Sequence, residues 1–284
     1  MAAPVGGIVT ERMQTVEDLE IDLLLEGVYH RFGQDFRGYR RESVRQRLHA
    51  LMRGAGLKTV SLLQDRVLHD DQASTVLLRA LSMQPAGLFD DPAYFHALRE
   101  VMVPWLRSCP SPKVWVAECV APEEVCALAI LLNEEGLYDK TQIFATAANE
   151  SLLEEARSGE FTLERWPEYA DNYRRCGGRA DFARYCSETG GKGVFSPALR
   201  ANVTWAQYSL ATDASFNEFQ FIVCRNALSD FGSALHRRAL QLFYDSMPVF
   251  GILSVGNDEG LNAAPFVSRY KAVAEEQGLY RRVV

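Results

Sequence analysis

The residues with the most chemical promise lie in one stretch, Trp115–Cys126. An apolar segment, Lys113–Ala117, leads through a short loop into a helix opened by Pro122, Glu123 and Glu124. Proline suits the first helical position, and acids in the first turn meet the positive end of the helix dipole. Val125, Leu128, Ala129 and Leu132 give that helix one apolar face, and Gly136 ends it. A strand–loop–helix at the start of an α/β sheet is where nucleotide-like cofactors bind. Such a loop normally carries glycines, so that the backbone can approach the ligand. Glu118 and Pro122 stand where glycines are expected. The stretch has the architecture of a cofactor site without the residues that make one.

Other candidates are fewer. Arg225 and Asn226 follow a strand candidate at 218–224, and the carboxyl ends of strands carry the sites of open α/β sheets. Arg41, Arg45, Arg47 and Arg53 form a basic face on a helix over 41–53, suited to an acidic partner. Arg41 and Arg45 also have the spacing of some cyclic-dinucleotide sites. Cys119 is no nucleophile: no histidine is near in sequence, and the adjacent acid raises its pKa. The six cysteines include no CxxC pair and the histidines do not cluster with them, so reduced thiols are expected, and no metal site.

The elements that must position these residues change character along the chain. Residues 1–14 read as a loose tail. Helices are expected over 15–32, 41–53, 59–69, 73–83 and from Asp91–Pro92 to about Leu106. Leu19, Leu23, Val28 and Phe32 mark the apolar spacing of the first, and Val44, Leu48 and Leu51 that of the second. From Lys113, strands (113–117, 141–146, 201–207, 218–224, 249–255) alternate with helices (122–135, 149–157, 233–246). Two alternating runs around Gln277–Gly278 read as an antiparallel hairpin. The pattern predicts a helical domain over 15–95 and an α/β domain over 96–284, with a mostly parallel sheet and an antiparallel last strand. A glycine-rich insertion near 160–200 is expected to pack outside the sheet.

Composition narrows the functions. The 284 residues carry a net charge of -7, which argues against nucleic-acid binding by the whole surface. No apolar run of about 18 residues suggests a membrane span, and no signal peptide is evident, so a cytoplasmic setting is expected.

Several motifs occur in order over nearly the whole chain: Tyr29, then Gly33–x–Asp35–Phe36–x–x–Tyr39 before the basic helix; Phe89–x–Asp91–Pro92–x–x–Phe95; Pro122–Glu123–Glu124; Ala145–Thr146; Ala156–Arg157–Ser158–Gly159; and Cys224–Arg225–Asn226. The chain resembles the CheR family of chemotaxis receptor methyltransferases. The resemblance implies an all-helical N-terminal domain before a Rossmann-like class I methyltransferase sheet. It also implies transfer of a methyl group from S-adenosylmethionine (SAM) to receptor glutamates, with the basic helix docking an acidic receptor helix.

The departures from that family gather at its ligand site. The family loop reads roughly Ala-Gly-Cys-Ser-Thr-Gly-Glu-Glu; here Glu118 and Pro122 replace both glycines. A threonine falls on Ala86, and the arginine that would pair with the SAM carboxylate falls on Asp90. The acid that would hold the ribose falls on Ala147, the adenine-side asparagine on Ser209, and a late tyrosine on Asp230. A late His-Ser-Glu reads Asn257–Asp258–Glu259. Asp90 and Glu118 would both approach the ligand carboxylate and repel it. Each lost polar contact is worth about 1–3 kcal/mol, and several together exceed the roughly 8 kcal/mol of a micromolar affinity. The expectation is therefore a methyltransferase fold that has lost SAM binding, with no cofactor, serving as a signalling or binding module for a protein partner. The alternatives are a divergent active protein-glutamate methyltransferase using SAM, or a fold reused for another ligand such as a nucleotide.

Overall fold

The computed structural model describes residues 15–82, 86–225, 227–256, 261 and 267–284. The expected tail over 1–14, together with Asn226 and Asn257–Asp258–Glu259, lies outside the described residues. Five helices come first: α1 (Val16–Phe32), α2 (Arg41–Ala55), α3 (Val60–His69), α4 (Asp71–Leu81) and α5 (Pro92–Ser108). The side chains of Thr15, Thr59, Asp70 and Asp91 each accept a first-turn N–H, at the starts of α1, α3, α4 and α5.

Helices α1–α4 enclose a core of their own, including Ile21, Leu24, Val28, Val44, Leu48 and Leu77. Leu51 is only partly buried against it. On α1 the expected apolar spacing is corrected. Ile21, Leu24, Leu25 and Val28 are buried, whereas Leu19 and Leu23 are 50% and 52% exposed. Both sets have helical periodicity; the packing of α1 on α3 selects between them.

The α/β part runs β1 (Lys113–Ala117), α6 (Pro122–Glu134), β2 (Gln142–Ala147) and α7 (Glu150–Ser158), then an insertion with β3 (Glu160–Thr162), α8 (Trp166–Arg175), β4 (Cys186–Thr189) and β5 (Lys192–Phe195). It continues through β6 (Val203–Gln207), β7 (Phe221–Cys224), α9 (Ser233–Asp245), β8 (Ile252–Val255), β9 (Tyr270–Ala274) and β10 (Leu279–Arg282). The main sheet has the order β6-β2-β1-β7-β8-β10-β9. Strands β6, β2, β1, β7 and β8 are parallel, and β10 lies antiparallel between β8 and β9. This is a mostly parallel Rossmann-like sheet, as expected. Its order reverses between β1 and β7, which makes the carboxyl ends of those strands the switch point.

Alternation along β1 sorts the two faces. Val114 and Val116 pack with α5 and α6, while Trp115 and Ala117 pack with α9. Trp115 is fully buried and its indole N–H donates to the Thr146 hydroxyl of β2 at 2.8 Å. Helix α5 joins the sheet through Tyr94, Phe95, Leu98 and Met102.

The insertion holds a structure that the sequence reading missed: a three-stranded antiparallel sheet in the order β3-β5-β4, with α8 beside it. It lies off the main sheet without being peripheral, because Phe161, Tyr169, Tyr173 and Phe195 enter the core built by α5 and α6. Its strands are three or four residues long, too short for alternation to show. Gly193 belongs to this packing rather than to a loop: a Cβ there would lie 2.3 Å from the Phe161 ring.

Candidate cofactor site

Beyond Ala117 the chain turns at Glu118, whose φ is 55°. A glycine enters this left-handed region freely, whereas another residue meets a cost of about 1 kcal/mol. The Cys119 N–H donates to the Thr146 carbonyl at 2.8 Å and holds the turn against β2. The backbone has kept a glycine's conformation while acquiring a glutamate side chain. That side chain is 7% exposed. Burial pushes its pKa up to about 7, with partial opposition from the Ala148 N–H. Cys119 is fully buried, and burial first, the nearby Glu124 second, holds its thiol well above the usual range.

Seven of the expected site residues line two cavities, whereas Pro122, Ala147 and Asp230 line neither. The first lies among α5, α6 and the ends of β1 and β7; Ala86, Asp90, Glu123, Glu124 and Arg225 line it, over an apolar floor that includes Tyr94 and Leu98. The second lies between the Gln34–Tyr39 loop and the α/β core, and Glu118, Ser209, Tyr39 and Phe231 line it. Asp90 and Glu118 were expected to converge on one ligand carboxylate. The structure places them in different cavities, and Asp90 is exposed, accepting the Gly87 N–H at 3.0 Å. The expected repulsion is weaker for a second reason, since burial raises the Glu118 carboxyl and favours its neutral form.

Pro122 opens α6 as its first residue. Glu123 is buried and accepts a hydrogen bond from the Tyr169 hydroxyl, with the Arg165 guanidinium 3.9 Å away. Both partners come from the insertion, so nothing in the local sequence announced them. Burial, then the neighbouring Glu123, pushes Glu124 to about 8, while the Ala86 N–H opposes. Ala147 is a fully buried methyl group at the end of β2. Ser209 serves its own loop: its N–H donates to Asp213 at 3.0 Å and its hydroxyl accepts the Ala211 N–H at 3.3 Å.

Arg225 donates to Asp91 at 3.0 Å and lies 3.9 Å from the Tyr94 ring centroid. Asp91 also caps α5, and the Tyr94 hydroxyl is 2.9 Å from Ser254 on β8. Arg225 thus joins α5 to the sheet.

The basic face of α2 is not free. Arg41 pairs with Asp22, and Arg45 with Asp18, Glu17 and Glu42. Arg47 donates to the carbonyls of Leu81 and Ser82 and to the Asp230 carboxylate. Only Arg53 of the four is classed as exposed. The four arginines were expected to form an open face; α1 supplies acids that pair with Arg41 and Arg45.

Residues 85–274 match the model described as "CheR methyltransferase, SAM binding domain", and residues 19–82 match "CheR methyltransferase, all-alpha domain". The chain belongs to the CheR methyltransferase family. It is 41% identical over 265 residues to "Putative methyltransferase Cher3" of Pseudomonas putida, covering 93% of this chain and 97% of that relative. It is 25% identical over 254 residues to "Chemotaxis protein methyltransferase 1" of Pseudomonas aeruginosa, covering 84% of this chain and 88% of the relative.

The residues of this CheR-family member do not fit SAM in the manner the family resemblance implies. Glu118 is buried and lines the second cavity, at a loop position where the resemblance implies a glycine. Ala147 offers no acceptor to a ribose, and Ser209 is engaged by its own turn. Position 90 presents a carboxylate to the cavity where a guanidinium would meet the ligand's own carboxylate.

Proposed function

We propose that this CheR-family protein no longer binds SAM with useful affinity and acts as a non-catalytic signalling or binding module. The observation that carries this reading is Glu118: a buried side chain held in a glycine's backbone conformation, inside the loop where the ligand would lie. Ala147 and Asp90 add the loss of an acceptor and of a cation. The partner that fits the family is a receptor-type acidic helix, in the cytoplasm.

The second reading is a divergent active methyltransferase. Glu123, Glu124 and Arg225 favour it, because all three line one cavity at the strand ends.

Calorimetric titration of the full chain with SAM and S-adenosylhomocysteine separates the two. The first reading expects no dissociation constant below about ten micromolar. Tighter binding, or label transfer from methyl-labelled SAM to a receptor fragment, establishes the second.

A further inference from the structure

A third cavity, of about 410 Å³, opens between the end of α6 and the insertion. It is separate from the cofactor site: Glu134 lines it, about 16 Å along α6 from Glu123. Glu134 is held by the Arg99 guanidinium at 2.8 Å, the Tyr173 hydroxyl and the Arg179 N–H at 2.9 Å. Glu135 meets Arg99 at 2.7 Å, Arg179 at 2.8 Å and Arg107 at 3.3 Å. Arg107 also donates to the Glu135 carbonyl at 3.2 Å, at the negative end of the α6 dipole. Both carboxylates are thus engaged. Arg184 lines the cavity and is exposed, and its guanidinium forms no ion pair or hydrogen bond among the described residues. Four guanidiniums therefore face two carboxylates here, in a chain whose net charge is -7. The Asp181 carboxylate caps its own turn through the Ala183 N–H at 3.0 Å and is not part of the lining.

Packing gathers the donors of this cavity. The Tyr185 hydroxyl lies 3.5 Å from the same Glu134 oxygen that the Arg179 N–H reaches. The Ser196 N–H donates to the Tyr185 carbonyl at 2.8 Å, which sets Ser196 beside the chain position of Arg184. Arg179, Arg184 and Ser196 line the one cavity together with Asn133.

We propose that this cavity binds a phosphate group, as inorganic phosphate or on a small phosphomonoester, with Arg184 as its principal contact. An unpaired guanidinium offers two parallel N–H donors to an oxyanion. A phosphate carries close to two negative charges at neutral pH, which suits the surplus of arginines better than a single carboxylate does. A cation would meet that surplus and find both acids already taken. The volume leaves room for a small body beyond the phosphate. The inference is independent of whether SAM has left the cofactor cleft.

The test titrates the purified full chain with inorganic phosphate, and separately with glycerol phosphate, by calorimetry at low ionic strength and neutral pH. Acetate, planar and singly charged, is the control. Saturable binding is expected for at least one phosphate, at least about tenfold tighter than for acetate. Tighter binding of glycerol phosphate assigns the site to a phosphomonoester, and tighter binding of inorganic phosphate assigns it to the free ion. Arg184→Gln should weaken the phosphate by about ten- to a hundredfold. Circular dichroism establishes that the variant is folded. Should it fail to fold, Arg184→Lys keeps the charge without the paired donors and should weaken binding by about two- to tenfold. Arg53→Gln, exposed on α2, should leave the affinity unchanged. Absence of saturable phosphate binding overturns the proposal, as does acetate binding equally well. Equal affinity in a folded Arg184 variant, or an equal loss in Arg53→Gln, overturns it too.

Discussion

Arg47 on α2 donates to the Asp230 carboxylate beyond β7, joining the helical core to the sheet. The chain pairs with itself beside this contact. Tyr39 and Phe231 form an antiparallel bridge, the Arg40 N–H donates to the Asp230 carbonyl at 2.7 Å, and the Gly232 N–H donates to the Gly38 carbonyl at 2.8 Å. Gly232 is required by this approach, since a Cβ there would lie 2.8 Å from the Gly38 oxygen. A substitution at the expected ligand site has become part of the seam between two cores.

Asp230→Asn tests that role while keeping the shape of the side chain. It weakens the charge-assisted bond and leaves Arg47 its two carbonyl acceptors. Urea unfolding should show a loss of about 1–2 kcal/mol. Amide exchange at Arg40 and Gly232 should accelerate in parallel. Unchanged stability and unchanged exchange would show that the pair contributes nothing to the seam.

Glu118 gives the fold a pH dependence of opposite sign to that of a salt-bridged acid. Its folded pKa is raised from the ordinary 4.5 to about 7. The folded chain therefore holds the proton more tightly than the unfolded chain. The stability linked to this group is fully present below 4.5 and is lost as pH rises through about 7. A shift of that size corresponds to about 3 kcal/mol. Glu124, raised to about 8, acts in the same direction and extends the window. Glu118→Gln should flatten the decline between pH 5 and pH 8 in chemical denaturation, and should stabilise the protein at pH 8 relative to wild type. An identical pH profile in the variant contradicts the assignment.

Much of the fold was legible because its signals are local. Capping residues and Pro92 placed α5, alternation placed β1, and Pro122 with two glutamates placed α6. The sheet insertion was hidden because strands of three or four residues cannot show a period, and its core contacts depend on aromatics distant in sequence. The α1 face was misread because two apolar sets share helical spacing. At the candidate site the residue types were visible, but their distribution was not. Separation of Asp90 from Glu118 follows from tertiary geometry, as does the Tyr169 hydrogen bond to Glu123. The arginines of α2 looked free because their acids sit on α1 and beyond β7, far away in the chain.

Those pairings separate the arginines of α2 experimentally. Arg45 is partly buried and contacts three acids, so Arg45→Glu places like charges together and should cost about 1–3 kcal/mol. Arg53 is exposed, and Arg53→Glu should change stability by less than about 0.5 kcal/mol. Thermal unfolding of the two variants reads the difference. If receptor-type acidic helices dock on this face, pull-down efficiency should fall in the folded Arg53→Glu variant. Retained binding would place docking elsewhere.

Restoring the lost groups tests the account of the cleft most directly. Glu118→Gly fits the existing backbone, because the position already has a φ of 55°. Relief of the left-handed strain is worth about 1 kcal/mol, partly offset by the greater freedom of glycine in the unfolded chain. Removal of a buried carboxyl adds to the gain at high pH, so the variant should be at least as stable as wild type at pH 8. This single change opens the loop but supplies neither an acceptor at position 147 nor a cation at position 90, and it should not yield micromolar SAM binding. Adding Ala147→Asp and Asp90→Arg provides both, and saturable binding should appear by calorimetry in the triple variant. If Glu118→Gly alone binds SAM at micromolar concentration, the side chain was the whole obstacle and the other two positions are irrelevant. If the folded triple variant shows no binding, the cleft has closed by contacts beyond these residues, and the narrow seam between Tyr39 and Phe231 is the place to open next.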